Sequence, residues 1–258
     1  MPYALATFYS FLPAGLLVLF RMGGLVMTAP LFSSSAIPMR IRVYLAVSLA
    51  VVLAPVVWPT LPADVTLGGA LVGTAGELLM GMMLGLTVSL VFVGLELGGL
   101  MIGQQAGIAL AQVFNPAMEA QTTVLGQLYF MIALVVFLAL NGHHVLIRCL
   151  MDSFVAVPVF SFVAGDGAAR LLIDALHQSM VLGIRLAGPA LIALFVASVA
   201  LNFVSRTVPQ LNILVIGFPI RAMVGLLIAG LSLYGIEDLF CYGMDEVFVA
   251  LRTLLGLS

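Results

Sequence analysis

Long apolar runs separated by short polar breaks dominate the chain. Most of these runs approach or exceed the roughly 20 apolar residues that a helix needs to cross a bilayer, so the pattern predicts helices in or beside lipid. A shorter run, 43–58, is interrupted by Pro55 and falls below that length. Prolines and glycines scattered through the apolar sequence predict broken helices and hairpins. The longer runs are 7–28, 67–102, 124–140, 145–163, 168–203 and 213–235.

The segment 103–123, GQQAGIALAQVFNPAMEAQTT, is the most unusual break. It carries three glutamines before the pair Asn115-Pro116 and a fourth, Gln121, after it, yet it lies between two of the most apolar runs. Lipid cannot satisfy the hydrogen bonds of an irregular backbone, so the segment must reach water or be enclosed by protein. We therefore predict a loop held inside a membrane assembly. An ordinary loop between two helices is the simpler alternative.

Small residues recur every four positions along the run 67–102 and just beyond it. Gly81 and Gly85 form a GxxxG pair, a spacing that lets helix backbones approach closely. Glu77 lies one four-residue step before Gly81, so it shares that face and is expected to contact another helix rather than lipid. The pattern continues with Gly94, Gly98, Gly99, Gly103 and Gly107.

Isolated charges lie within the predicted helices. A charged side chain at the centre of a membrane helix costs about 2.5–3.5 kcal/mol, so Arg21 is expected to pair or to face a polar interior. Arg148 and Asp152 are four residues apart on one helix face and predict an intramembrane ion pair. Glu96 and Arg185 are expected to make polar contacts within the membrane region.

The composition favours an integral membrane protein. Of the 258 residues, 63% are hydrophobic and only 8% are charged, whereas a soluble domain has about 25% charged residues. We interpret 1–258 as one membrane domain, with 236–258 as an amphipathic, acidic tail that suits an interfacial or partner-docking helix. The N-terminus has no basic residue before Arg21, which argues against a cleaved signal peptide.

Several function classes are unsupported by the residues present. The formal net charge of −2 gives no basic patch, so nucleic acid is not an expected partner. No nucleophile motif or phosphate loop occurs, and we expect neither catalysis nor a cofactor. His143 and His144 lie outside any recognised metal-ligand spacing and are interpreted as a loop cap or interface pair. Cys149 and Cys241 are interpreted as buried free thiols.

Taken in order, a set of short motifs resembles the FliR family of flagellar export-gate proteins, whose virulence-secretion counterpart is SctT. The stretches FLALNGHH, DSF-x3-P and RTVPQLNILVIGFPI are the most specific, and NGHH favours the flagellar branch. The other matches are Arg21, Ala29-Pro30, the stretch 37–40, the Glu77-Gly81-Gly85 series, Gln104, Gln105, Phe114 and Pro116.

The resemblance implies an all-α, polytopic membrane protein of broken helices and helical hairpins. One copy would complete a spiral of hairpins built from FliP and FliQ around a channel for unfolded flagellar subunits. FlhB would dock at its cytoplasmic mouth, and the assembly would lie in the bacterial inner membrane, within the flagellar basal body. The resemblance also makes 107–122 a plug loop that closes the pore before secretion.

The implied plug loop contains apolar stoppers and a turn-setting proline. Its residues are Gly107, Phe114, Asn115, Pro116, Met118 and Glu119. Asn115 stands where the family usually has an aspartate, which removes a charge from the loop. Glu77 is interpreted as a buried contact that fixes helix register between subunits, with a proton-relay acid as the alternative.

Two other functions fit part of the sequence. A virulence-type export subunit shares the family motifs. A small-solute secondary transporter would also use broken helices and intramembrane charges. Such transporters often contain two matching halves, and no convincing repeat relates 1–125 to 126–258.

Overall fold

The chain folds into helices throughout the part that the computed structural model describes, which is residues 2–33, 37–57, 67–108, 123–159, 162, 165–207 and 213–254. Within these ranges every regular element is helical, which confirms the all-α prediction. The helices are α1 (Pro2–Thr28), α2 (Pro30–Ser33), α3 (Met39–Val57), α4 (Leu67–Gln105), α5 (Val124–Ala139), α6 (Gly142–Ala156), α7 (Asp166–Thr207), α8 (Ile213–Ser232) and α9 (Ile236–Leu254), with a 3-10 turn at Leu233–Gly235.

Two helices are much longer than a single membrane crossing. α4 has 39 residues and α7 has 42, so at 1.5 Å per residue α4 extends about 58 Å, nearly twice the thickness of a hydrocarbon core. The proline-rich pattern predicts more breaks than occur, because Pro55, Pro189 and Pro219 all lie inside continuous helices. Apolar spans that satisfy the length of a crossing are Gly73–Gln105, Asp166–Thr207 and Ile216–Leu254, with α5 and α6 together as a fourth.

A sharp corner separates α5 from α6, whose axes differ by 71°. Asn141 adopts the left-handed conformation, with φ of 57°, a conformation that asparagine tolerates better than most residues. This confirms the predicted stop at Asn141-Gly142. The following helix, predicted over 145–163, instead begins at Gly142 and ends at Ala156. Val157 leaves the helical region because Pro158 disfavours it in the preceding residue.

The boundaries of α7 also differ from the prediction. The sequence GDG at 165–167 suggests a turn, but the helix begins within it at Asp166. A carboxylate in the first turn is stabilised by the free N–H groups and dipole of the helix N-terminus. At the other end, α7 continues to Thr207, four residues beyond the predicted run 168–203.

The chain divides into two compact units. The first comprises Met1–Leu90, Phe137–Leu176 and Asp245–Ser258. In it, α1 and α4 meet along a glycine seam, defined here as Gly24, Gly81 and Gly85. A methyl group at any of these three glycines would lie within 3.0 Å of a main-chain nitrogen of the facing segment. Such a close approach is possible only because these positions lack a side chain.

The second unit comprises Val91–Val136 and His177–Met244. Here the C-terminal half of α4 uses glycines on two faces. Gly94 and Gly98 contact α7 beside Gly183, where a methyl group on Gly98 would lie 2.9 Å from the carbonyl oxygen of Gly183. Gly99 contacts α5, where a methyl group would lie 2.8 Å from Cα of Gly126. The four-residue glycine spacing therefore joins helices of the same chain.

The tail helix α9 is part of the folded body. One stripe of its surface is buried, and its members are Ile236, Phe240, Met244, Val247 and Leu251. Glu237, Asp238 and Asp245 lie on its exposed side. The apolar stripe is covered by other parts of the chain, and the interpretation of 236–258 as an interfacial or partner-docking tail stays a prediction. The interpretation of 1–258 as a single membrane domain stays a prediction.

We predict that Gly81→Ala destabilises the protein by about 1–3 kcal/mol, because the added methyl group would press on the α1 backbone at Arg21. Gly188→Ala is the matched control: it lies inside α7, and a methyl group there meets nothing within 4 Å. Thermal unfolding of the two variants in detergent measures the difference. Equal melting temperatures would contradict close packing at the glycine seam.

Candidate functional site

A buried arginine connects three helices of the first unit. Arg21 of α1 is fully buried, and its Nε–H donates a hydrogen bond to Oε2 of Glu77 in α4 over 2.5 Å. Glu77 is itself only 1% exposed. The expectation that Arg21 must be compensated is confirmed, and Glu77 faces another helix as its spacing predicts.

The remaining donors of Arg21 are used by α6 and by the residue that follows it. Nη1 donates to Oγ of Ser153 over 3.1 Å, and Nη2 donates to the main-chain oxygen of Val157 over 3.2 Å. The guanidinium carbon lies 4.1 Å from the centre of the Phe154 ring. A planar fork of donors makes these contacts simultaneously, which the compact ammonium group of lysine cannot do. We call Arg21, Glu77, Ser153, Phe154 and Val157 the arginine cluster.

Local structure at the end of α6 provides the acceptors for Arg21. Carbonyl groups in the last turn of a helix lack intrahelical partners, and the stop before Pro158 leaves that of Val157 available. The Ser153 hydroxyl donates to the Leu150 carbonyl over 2.6 Å, so its lone pairs remain free to accept from Arg21. The motif DSF-x3-P thus supplies one side of the cluster. Sequence reasoning noticed this motif but not its contact with Arg21.

The arginine cluster fixes the register of helices within one chain. Glu77, Gly81 and Gly85 lie on one face of α4, and both glycines contact the α1 segment that carries Arg21. Glu77 therefore makes a register contact within one chain, through its pair with Arg21, and a register contact between subunits stays a prediction. A buried ion pair is costly to break, because removal of one partner leaves the other charge uncompensated.

The second candidate feature is the polar segment after α4, whose beginning is well defined. Gly107 has φ of 82°, and its N–H donates to the Gln104 carbonyl over 3.1 Å. The Ile108 N–H donates to the Gly103 carbonyl over 3.0 Å. This pair of hydrogen bonds is a Schellman motif, which ends a helix at a left-handed glycine. Gly107, predicted as a plug residue, therefore ends α4.

The end of the same segment is fixed by Thr123. Its Oγ1 accepts a hydrogen bond from the Gly126 N–H over 3.1 Å, which caps the N-terminus of α5. A methyl group on Gly103 would lie 3.2 Å from the Thr123 side chain, so the start and the end of the segment are in contact. The predicted plug residues Phe114, Asn115, Pro116, Met118 and Glu119 lie outside the described residues. Their role stays a prediction.

The sequence matches the protein family described as bacterial export proteins, family 1, over residues 12–247. The chain belongs to this family. It is 34% identical to the flagellar biosynthetic protein FliR of Caulobacter vibrioides, over 85% of this chain and 88% of that protein. It is 35% identical to FliR of Escherichia coli, over 92% and 91%. The Yop proteins translocation protein T of Yersinia pestis is 29% identical over 59% of each chain.

Family membership and the apolar helices together show which class of protein contains the site. The chain is a multi-pass membrane protein and a component of a bacterial export apparatus. The arginine cluster is thus a polar network inside a membrane protein of the FliR family, and the polar segment connects two of its apolar helices.

Other predicted site residues of this FliR-family chain are not brought together. Arg148 and Asp152 are both exposed on α6, and the ion pair predicted between them does not form. Exposed pairs gain little energy and cost side-chain entropy. Arg185 is exposed and lies over the ring of Tyr242, with its guanidinium carbon 4.7 Å from the ring centre. Glu96 is half-buried on α4.

Potential metal ligands are sparse in the described part of the chain. His143 and His144 stack on each other with ring centres 4.2 Å apart. No group of three or more His, Cys, Asp or Glu side chains suited to a metal ion occurs among the described residues. Cys149 is buried, as predicted, whereas Cys241 is half-buried, and the described residues form no disulfide with either of them.

Sequence reasoning also missed a contact in the second unit. The Tyr129 hydroxyl of α5 donates to the Ala229 carbonyl of α8 over 3.0 Å and lies 2.5 Å from Oγ of Ser232. The Ser232 hydroxyl also donates to the Ala229 carbonyl, over 2.8 Å, so the buried Tyr129 and the half-buried Ser232 share this acceptor. A tyrosine within an otherwise apolar helix, 124–140, is the signal that points to such a partner.

We predict that Glu77→Gln or Arg21→Met alone destabilises the folded chain by about 3–5 kcal/mol, because each change leaves the other charge of the buried pair uncompensated. Arg206→Met is the control, since Arg206 is exposed at the end of α7. The double variant Arg21→Met, Glu77→Leu should recover part of the loss, because it leaves no unpaired charge. Thermal unfolding and protein levels in membranes measure these effects. A double variant less stable than both single variants would contradict this account.

Proposed function

We propose that this chain is a core subunit of the flagellar type III export gate. With FliP and FliQ it would form the closed channel through which unfolded flagellar subunits are exported during flagellum assembly. The similarity to flagellar FliR proteins over 85–92% of the chain carries this proposal. The virulence-type relative covers only 59%, which favours the flagellar system over its counterpart.

The exposed surface supports a role within a larger membrane assembly. Large apolar side chains are exposed along α7 and α8 far beyond what a soluble surface carries. Examples are Ile192, Phe195 and Phe203 on α7 and Met223, Leu227 and Leu231 on α8. These surfaces would contact lipid, FliP and FliQ in the bacterial inner membrane, with FlhB at the cytoplasmic mouth. This setting would be the flagellar basal body.

The proposed mechanism is conformational rather than catalytic. The segment between Gly107 and Thr123 would act as a plug, with Phe114 and Met118 as an apolar constriction that excludes water and ions. Its defined ends support this role, because Gly107 ends α4, Thr123 caps α5, and the Gly103 and Thr123 positions lie in contact. Energy for export would come from partner proteins.

Native mass spectrometry tests the assembly. The full chain, expressed with FliP and FliQ and extracted in mild detergent, should appear in a mixed complex that contains one copy of this chain. Expression of the same chain with a virulence-type pair of partners is the matched comparison and should give little complex. A lone monomer or homodimer that binds a small solute would favour the transporter alternative and overturn the proposal.

We predict that replacing Phe114 and Met118 together by serine makes the assembled, resting gate leak ions, because a polar constriction stays wetted. Conductance of membranes that hold the complex measures the leak. Phe195→Ser on the exposed face of α7 is the control for a general loss of apolar surface. Unchanged conductance in a correctly assembled complex would rule out a plug formed by these two side chains.

A further inference from the structure

An apolar groove lies between α1 and α3 in the first unit. It has a volume of about 270 Å³ and is open on one side, which is near the lower end of the range for small-molecule sites, about 300–1,000 Å³. Its walls are formed by one face of α1 between Leu19 and Met27, one face of α3 between Met39 and Val47, and Leu78 of α4. Apart from one arginine, Arg42, every lining residue is apolar.

Charge is confined to one end of the α3 wall. Arg40 and Arg42 lie in the first turn of α3, and Arg42 contributes to the groove lining. The Nε–H of Arg42 donates to the Ile37 carbonyl over 3.1 Å, which holds the guanidinium group at this end. Among the described residues, none of the side chains that line the groove is acidic. A ligand with an apolar body and an anionic head group matches a groove that is apolar along its walls and positively charged at one end.

The length of the groove fits one membrane leaflet. Each main wall covers eight helical steps, or about 12 Å, and half of a hydrocarbon core is about 15 Å thick. The positive-inside rule directs Arg40 and Arg42 to the cytoplasmic surface, where anionic lipids are concentrated. We propose that the groove binds one anionic phospholipid, with an acyl chain along the α1 and α3 walls and its phosphate at Arg40 and Arg42.

Gly23 offers a way to fill the groove without disturbing the backbone. It lines the groove, and a Cβ atom added there meets nothing within 4 Å, whereas its neighbour Gly24 is packed tightly against α4. Gly15 lies on the same helix, also faces open space and does not line the groove. Gly23→Leu and Gly15→Leu therefore form a matched pair with the same gain in helix propensity.

The test is native mass spectrometry of the full chain, alone and with FliP and FliQ, titrated with phosphatidylglycerol or phosphatidylcholine. One phosphatidylglycerol molecule should be retained in preference to phosphatidylcholine. Gly23→Leu should abolish its retention, and Gly15→Leu should leave it unchanged. Each arginine near an anionic headgroup contributes about fivefold to affinity, so Arg40→Gln with Arg42→Gln should weaken phosphatidylglycerol binding about thirtyfold. Arg206→Gln, an exposed arginine at the end of α7, is the charge control.

Three outcomes would overturn the proposal. Equal binding of the two lipids would mean that Arg40 and Arg42 do not select an anionic headgroup. Unchanged retention in Gly23→Leu, with the variant folded as judged by its melting temperature, would place the lipid elsewhere. Loss of the lipid on assembly with FliP and FliQ would make the groove a docking surface for a partner helix. Because each readout scores lipid retention, failure here is distinguishable from failure to form the export gate.

Discussion

A fully buried guanidinium group in an apolar protein restricts how the surrounding helices can pack. Arg21 can remain charged there only if its donors are satisfied, and Glu77, Ser153 and Val157 satisfy three of them. Those partners come from α4, from α6 and from the residue after α6, so the charge requirement determines which segments must meet. The glycine seam makes the meeting possible, because side chains at Gly81 would hold α1 too far from Glu77.

Sequence patterns predict that buried charges need compensating contacts more reliably than they predict which residues make those contacts. An arginine and a glutamate within apolar runs must both be compensated, but they are 56 positions apart, and helix periodicity does not reveal that α1 faces α4. The local spacing of Arg148 and Asp152 predicts a pair that does not form, although both side chains lie exposed on α6. Short-range spacing finds helix faces, whereas long-range pairing depends on packing.

The same contrast between local sequence signals and long-range packing holds for the helices and the polar segment. Apolar runs predict where most helices occur, yet Pro189 and Pro219 do not break theirs, because α7 and α8 continue through them. The boundaries of the polar segment follow from local chemistry: a glycine that can adopt positive φ and a threonine that can cap. The glycine pattern predicts close packing, but the neighbouring helix at each glycine is a property of the tertiary structure.

The hydrogen bonds at both ends of the polar segment make the flanking helices independent of the residues inside it. Gly107 and Thr123 complete their own helix termini with local hydrogen bonds, so α4 and α5 do not depend on the residues between them. The entropy of closing a loop changes only slowly with its length, by about 0.6 kcal/mol for each doubling. Substitutions or changes of length between Gly107 and Thr123 therefore carry little risk to the folding of the two flanking helices.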